Sequence, residues 1–197
     1  MDYFKALLLK IDLIKAFDRV NWTFICLILI QIGVPLLTVK WIMGCLTSAT
    51  FDMLINGTPS DFFPASQGIC QGCPLSPLLF ILVIEGLSLL IVDAQNNGLI
   101  RGIQISHTLA LTHLLFVDDV ILMGTGSLQE WAAFDVILET FCKASGMSIS
   151  LENFVFLHSN IPEPDLLSLS RSIHYKKLPI TTGFNYLGFH IKPLGYK

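Results

Sequence analysis

The stretch His113-Leu-Leu-Phe-Val-Asp-Asp-Val-Ile-Leu-Met-Gly124 constrains the fold most. Eight apolar residues surround one histidine and two adjacent aspartates, Asp118 and Asp119. Apolar runs on both sides of a polar pair read as a buried hairpin with the aspartates at its tip. Carboxylates held together near a core repel one another unless a cation neutralises them. The chain therefore either spends this pair on an ordinary surface turn or gathers further acidic groups around a cation. The first option is common, because Asp is a favoured turn residue. On the pair alone the two options stand level.

Asp12 offers a third carboxylate. It ends Ala6-Leu-Leu-Leu-Lys-Ile11, an apolar run that reads as a strand buried on both faces. Judged alone Asp12 fits a turn or cap. If its strand lies beside the hairpin in one sheet, the carboxylates converge. Oxygen ligands without His or Cys suit Mg²⁺. Two such ions roughly 3.5–4 Å apart clamp both oxygens of an in-line phosphoryl displacement. Phe17 lies about one and a half helical turns beyond Asp12, within reach of the same site. Gln71-Gly-Cys-Pro-Leu-Ser-Pro77 is a stiff loop feeding a helix. By spacing alone it is an ordinary helix entry; its backbone and the Gln71 amide also suit contact with a base or template strand.

The rest of the chain reads as one α+β layer, residues 1–197 forming one domain. Phe17, Val20, Phe24, Leu27 and Ile28 fall at helical spacing, with Gly33 and Pro35 as the stop. A second helix is expected over Leu36–Leu46. Asn56-Gly57 marks a hairpin, with Phe62 and Phe63 on a return strand. Ser76-Pro77 opens an apolar helix that Asn96-Asn97-Gly98 ends. Strands are expected over Ile100–Ile105, Leu109–Val117 and Val120–Met123. Ser127 to Glu130 is a capping box for a helix to about Ser145, with Gly146 as its stop. A strand near Phe154–Leu157, a polar Pro-bearing stretch and a last strand near Asn185–Ile191 complete the chain.

Composition narrows the function. Hydrophobic residues make up 53% and charged residues 14%, with a net charge of −3. That excludes the basic footprint of a self-sufficient nucleic-acid binder. Pro77–Val92 carries one charge, Glu85, and approaches the roughly 20 apolar residues of a membrane span. Glu85 at mid-membrane is costly and no basic residue sets an orientation, so a helix buried on nearly all sides of a soluble domain is expected, and no membrane partner. Five cysteines, an odd number, and no leader at the N-terminus point to reduced thiols in an intracellular protein of nucleus or cytoplasm. Asn21-Trp-Thr and Asn56-Gly-Thr match the glycosylation pattern, which carries little without a secretory route. Cys70-x-x-Cys73 lacks a second ligand pair at zinc spacing.

Three pieces coincide in order: KIDLIKAFDRV (Lys10–Val20), QGCPLSPLLF (Gln71–Phe80) and FVDD (Phe116–Asp119). With LINGTPSDFF, ASGMSISLENF and YLGFHI between and after them, they resemble motifs A to E of the reverse transcriptase of non-LTR, LINE-type retroelements, in a plant-like style. The resemblance covers nearly the whole chain. It implies a right-hand polymerase palm, an antiparallel sheet backed by helices. It implies RNA-directed DNA synthesis with two Mg²⁺ ions, or Mn²⁺, acting on an RNA template, a DNA primer and a dNTP.

Residue by residue, Asp12 matches the A-motif metal ligand, and Leu13 the position whose carbonyl helps hold a metal. Asp118 matches the first C-motif ligand and Asp119 the second, usually less essential one. Phe17 matches the bulky residue under the incoming sugar, selecting against a 2′-hydroxyl. Gln71 and Gly72 match contacts to the nascent base pair and template, and Tyr186, Leu187 and Gly188 the primer-grip turn. Three departures stand out: Cys70 where the family usually carries Arg, Asn153-Phe154 in place of a Lys-Ser-like pair, and Val117 for Ala. The motif order also implies that fingers and thumb are largely missing, truncated at both ends from a longer polyprotein. The basic grip on nucleic acid would then belong to the missing parts. Two further readings accompany this one: an inactive retroelement-derived relic that keeps the aspartates, and a membrane protein spanning at 77–92.

Overall fold

A computed structural model describes residues 5–150, 155–172 and 177–192. β1 (Ala6–Asp12) leads into α1 (Ala16–Arg19), α2 (Trp22–Gln31) and α3 (Leu36–Thr47). The single helix expected from Phe17 through Ile28 is thus two helices. Val20 between them is extended (φ −55°, ψ 124°). Asn21 starts α2 afresh, its Oδ1 accepting from the Thr23 amide at 2.8 Å. β2 (Thr50–Phe51), β3 (Leu54–Ile55), β4 (Thr58–Pro59) and β5 (Phe63–Pro64) follow. Between β3 and β4, Asn56 and Gly57 both have positive φ (51° and 84°), as a type I′ turn requires. β2 pairs with β5 outside that hairpin.

α4 (Ser76–Asn96) begins and ends as expected, but it is not buried all round. Leu79, Phe80, Val83, Leu87 and Ile91 are fully buried, at helical spacing, while Leu78, Ile81 and Leu89 are each more than half exposed. By length and hydropathy α4 alone among the described helices could cross a membrane, and 39% of its most apolar window is buried. Then come β6 (Ile103–Gln104), β7 (Ala110–Leu111), β8 (His113–Phe116), β9 (Asp119–Gly124), α5 (Leu128–Ser145), β10 (Val155–Ser159), α6 (Glu163–Ser172) and β11 (Lys177–Pro179). A 3₁₀ turn (Ile180–Thr182), β12 (Phe184–Tyr186) and β13 (Phe189–Ile191) end the described chain. The expected last strand is therefore a hairpin. Leu187 and Gly188 turn it, with φ of 50° and 81°.

The residues group into two compact units, with boundaries inside α4 and α5. The first takes the chain up to Ile14, Leu87–Thr140, and the chain from Ile149 onward. Its sheet has the order β11-β10-β1-β9-β8. Every pair is antiparallel except β10–β11, which is parallel. The parallel pair needs a crossover, and α6 supplies it. α6 replaces what the sequence suggested was an irregular polar stretch. Its prolines fall at or before the first turn, where a missing N–H is tolerated, and Glu163 and Asp165 suit the helix start.

β1 is the central strand, and it is not buried equally on its two faces. Leu7, Leu9 and Ile11 are at most 2% exposed. Leu8, Lys10 and Asp12 alternate with them and are half-buried. The closed face meets α5, where Trp131 stands edge-on to Phe156 of β10 at 5.7 Å. Glu130 of α5 is 3% exposed. The expected capping box is only half present: Ser127 Oγ accepts from the Glu130 amide at 3.2 Å. The Glu130 carboxylate turns elsewhere. Oε1 accepts from the amides of Arg101 (2.8 Å) and Gly102 (2.9 Å). Oε2 accepts from the Thr125 amide (2.7 Å) and hydroxyl (2.6 Å). A buried carboxylate is stable only with such donors.

The second unit takes Lys15–Gly86 and Phe141–Ser148. Backbone bonds tie the 68–69 segment to the end of α1, from Gly68 to Val20 and from Ile69 to Phe17, each 2.8 Å. Trp22 Nε1 donates to the Gly68 carbonyl at 2.6 Å. Gly68 has φ of +84° and would bring a Cβ within 2.6 Å of the Asp18 carbonyl, so this crossing requires glycine. Phe24 packs edge-on to Phe141.

Candidate active site

In the first unit β1 and β9 run antiparallel with Asp12 directly opposite Asp119. Directly opposite residues project to the same face. Asp118 adjoins them in the two-residue tip between Phe116 and Asp119, which are themselves partners in β8 and β9. The expected hairpin is present, but its two-residue tip is Val117 and Asp118, and Asp119 opens β9. Asp12 and Asp119 are half-buried and Asp118 is exposed. Val117, the other tip residue, has φ of 54°, an uncommon conformation for a β-branched side chain.

Backbone bonds pin the acidic end of β1 on both sides. The Leu13 amide donates to the Asp118 carbonyl at 3.2 Å, and the Asp12 carbonyl accepts from Ser150 at 2.8 Å. Leu13 is buried and forms an isolated bridge with Ile149. The open face of the sheet also holds Lys10, two residues before Asp12. Its Nζ lies 2.8 Å from Asp119 Oδ1. Lys10 belongs to the A-motif text, yet nothing in its spacing marked it as a partner of Asp119.

Tyr186 stands near this ion pair. Burial pushes its phenol above the ordinary value; the Asp119 carboxylate adds to the rise and Lys10 opposes it. Leu187 and Gly188 form the exposed turn beyond it.

Phe17, Gln71 and Gly72 lie in the second unit. All three line one cavity of about 490 Å³, with Cys73, Pro74 and Pro77. The Phe17 ring is stacked on Phe80, centroids 4.4 Å apart and planes 7° from parallel. Phe80 is buried, so it fixes the ring's pose. Phe80 ends the B-motif segment, and the stack on Phe17 is what reveals its role. Gln71 Nε2 donates to Asp18 Oδ1 at 3.3 Å. Gly72 has φ of +93°, within a turn closed by the Cys73 amide and the Cys70 carbonyl. Cys70 and Cys73 are exposed free thiols. Asn153 and Phe154 lie outside the described residues.

The donor chemistry at the sheet tip fits a hard divalent cation: carboxylates in register, with no His or Cys among them. Among the described residues, no three His, Cys, Asp or Glu side chains form a ready metal cluster. Asp119 is instead drawn to Lys10.

A mixed sheet, antiparallel around β1 and backed by helices, with two opposed aspartates and a third at an adjoining tip, defines a polymerase palm. The chain belongs to the reverse transcriptase (RNA-dependent DNA polymerase) family, whose model matches residues 5–191. Reverse transcriptase domains generally use divalent metals. Among its relatives is the Pol polyprotein of the type-1 retrotransposable element R2 of Popillia japonica. That protein is 28% identical over 186 residues, 94% of this chain and 28% of the polyprotein. An uncharacterized mitochondrial protein of Arabidopsis thaliana is 38% identical over 109 residues, 54% of this chain and 88% of that protein. The domain is thus of the non-LTR retrotransposon type. The fold is shared with apo telomerase of Candida tropicalis at a TM-score of 0.61 and 15% identity, covering 81% of this chain and 32% of that one. Telomerase of the same species in complex with a telomeric RNA fragment matches at 0.58 and 15% identity, over 79% and 26%.

Proposed function

We propose that this chain supplies the nucleotidyl-transfer centre of an RNA-directed DNA polymerase, within a longer polyprotein. The observation that carries the reading is the register of Asp12 opposite Asp119, with Asp118 at the adjoining tip. Asp12, Asp118 and the Leu13 carbonyl would hold two Mg²⁺ ions, with Asp119 as an auxiliary carboxylate. When bound, those ions supply the Lewis-acid charge for attack of a primer 3′-hydroxyl on the α-phosphate of a dNTP.

The chain's own residues orient the reactants. Asp12 stays in place because the backbone on both sides of it is bonded. Phe17, its ring braced by Phe80, would present a flat face to the sugar and select against a 2′-hydroxyl. Gln71 and Gly72 contact the nascent base pair and RNA template. Tyr186, Leu187 and Gly188 seat the DNA primer end.

The inactive-relic reading rests on one observation in the described residues: exposed Cys70 stands in the B loop where the family usually carries Arg. Primer extension on poly(rA)·oligo(dT) with Mg²⁺ separates the two. Incorporation that disappears in Asp118→Asn, with the melting profile unchanged, supports the polymerase. No incorporation by the wild-type chain, alone or joined to flanking polyprotein segments, supports the relic.

A further inference from the structure

Among the described residues, Lys10 is a charged group at the acidic tip with no part in holding metal or substrate. It lies on the open face of β1, two residues from Asp12 and diagonal to Asp119 across the strand pair. The Lys10 and Asp119 side chains are only 16% and 20% exposed, and their contact is 2.8 Å. A pair so withdrawn from water is not one of the screened surface pairs that contribute little. Among the described residues, Asp12 stands opposite Asp119, Asp118 adjoins Asp119 at the tip, and the neutral Tyr186 phenol lies near the pair. Lys10 thus balances the charge of Asp119 beside two further carboxylates, Asp12 and Asp118.

We infer that Lys10 is a positioning residue that keeps Asp119 auxiliary to the Asp12–Asp118 pair and thereby sets the divalent-cation affinity of the tip. The inference rests on the reading that Asp12 and Asp118 hold the cation. Lys10 is a resident counter-charge: it steadies the tip before metal arrives and divides the labour between two adjacent, chemically identical aspartates. Asp119 is the strand residue fixed by Lys10, and Asp118 is the exposed ligand at the tip. Losing Lys10 removes one positive charge and releases a third carboxylate, so divalent ions bind more tightly while the metal-free fold weakens.

The test is Mn²⁺ titration of the 197-residue chain, reading free Mn²⁺ by electron paramagnetic resonance. Lys10→Met and Lys10→Gln are expected to bind Mn²⁺ about tenfold more tightly, the scale of one unit charge acting on a divalent ion across a few ångströms of water-like screening. Lys10→Arg stays near the wild-type value. In EDTA, Lys10→Met melts below the wild type, and Mn²⁺ raises its melting temperature by more. Lys10 variants that melt lower but bind Mn²⁺ as the wild type does, or more weakly, overturn the inference and leave a merely structural lysine. Asp118→Asn separates this from failure of the underlying reading. If the wild type binds and Asp118→Asn does not, only the Lys10 inference is at stake. If Asp118→Asn binds as the wild type does, or neither binds, both fall.

Discussion

Replacing Glu130 by alanine is the sharpest test of how the five-stranded sheet is held. The carboxylate accepts four hydrogen bonds, from the amides of Arg101, Gly102 and Thr125 and from the Thr125 hydroxyl, and it is 3% exposed. Hydrogen bonds to a charged group contribute about 1.5–3 kcal/mol each. The four do not simply add. The Thr125 hydroxyl can rotate to a new partner, and the Arg101 amide lies at a partly open position. Gly102 keeps a buried amide that water does not easily reach, and the Thr125 amide is half-buried. Removing the carboxylate also abolishes its own burial cost. The expected loss is about 3 kcal/mol for Glu130→Ala and about 2 for Glu130→Gln, which keeps one acceptor but turns an amide group toward donors. With a urea slope of about 2 kcal/mol per molar, the alanine variant's midpoint falls by about 1.5 M. Ser127→Ala, which removes only the half of the capping box that exists, costs about 0.5–1 kcal/mol. Urea unfolding followed by circular dichroism measures all three. A Glu130→Ala midpoint within 0.3 M of wild type, about 0.6 kcal/mol on the same slope, would refute the reasoning. It would mean the carboxylate is an ordinary cap and not the fastening of β9.

Two further outcomes follow from the tip. Val117 holds φ of 54°, a conformation costing an L-residue about 1–2 kcal/mol and one that Asn tolerates better, so Val117→Asn should raise stability by about 0.5–1 kcal/mol in a thermal melt. An unchanged or lower melting temperature would show that the tip is not strained. The Tyr186 phenol, raised by burial and then by Asp119, ionises later in the folded chain than in the unfolded one. It contributes nothing to stability below the unfolded value, and above it stability falls as pH rises. Tyrosinate absorbance at 295 nm, read as a difference between wild type and Tyr186→Phe, should show a late-titrating group, and the variant should lose less stability in alkali.

What could be read in the sequence was whatever local chemistry decides. The hairpin around Asp118 and Asp119, the Asn56-Gly57 turn, and the limits of α4 and α5 follow from periodicity and capping residues within a few positions. The convergence of Asp12 with the tip was conditional on two strands being neighbours, and β1 and β9 are. The misses share a physical cause. Asn21 broke a well-spaced helix because a cap outcompetes periodicity. Glu130 left its capping box because donors far along the chain, at Arg101 and Gly102, reach it in space. The one-sided burial of β1 depends on what covers each face, which five apolar letters and a lysine do not specify. Lys10 and Phe80 lie within motifs A and B, but their roles are not legible there, because an ion pair and a ring stack are relations between elements.

The central place of β1 has a consequence for how the protein is made. This strand leaves the ribosome well before its partners, Asp119–Gly124 and Val155–Ser159. Pairings so distant in sequence form slowly, since a long loop must close before any contact rewards it. At about 5–20 residues per second, Ala6–Ile11 waits many seconds with both edges unpaired, a template for wrong partners. The acidic centre is therefore among the last features to assemble. A nascent chain stalled before β9 would hold Asp12 on an apolar strand with nothing to pair it, a species for chaperones to cover.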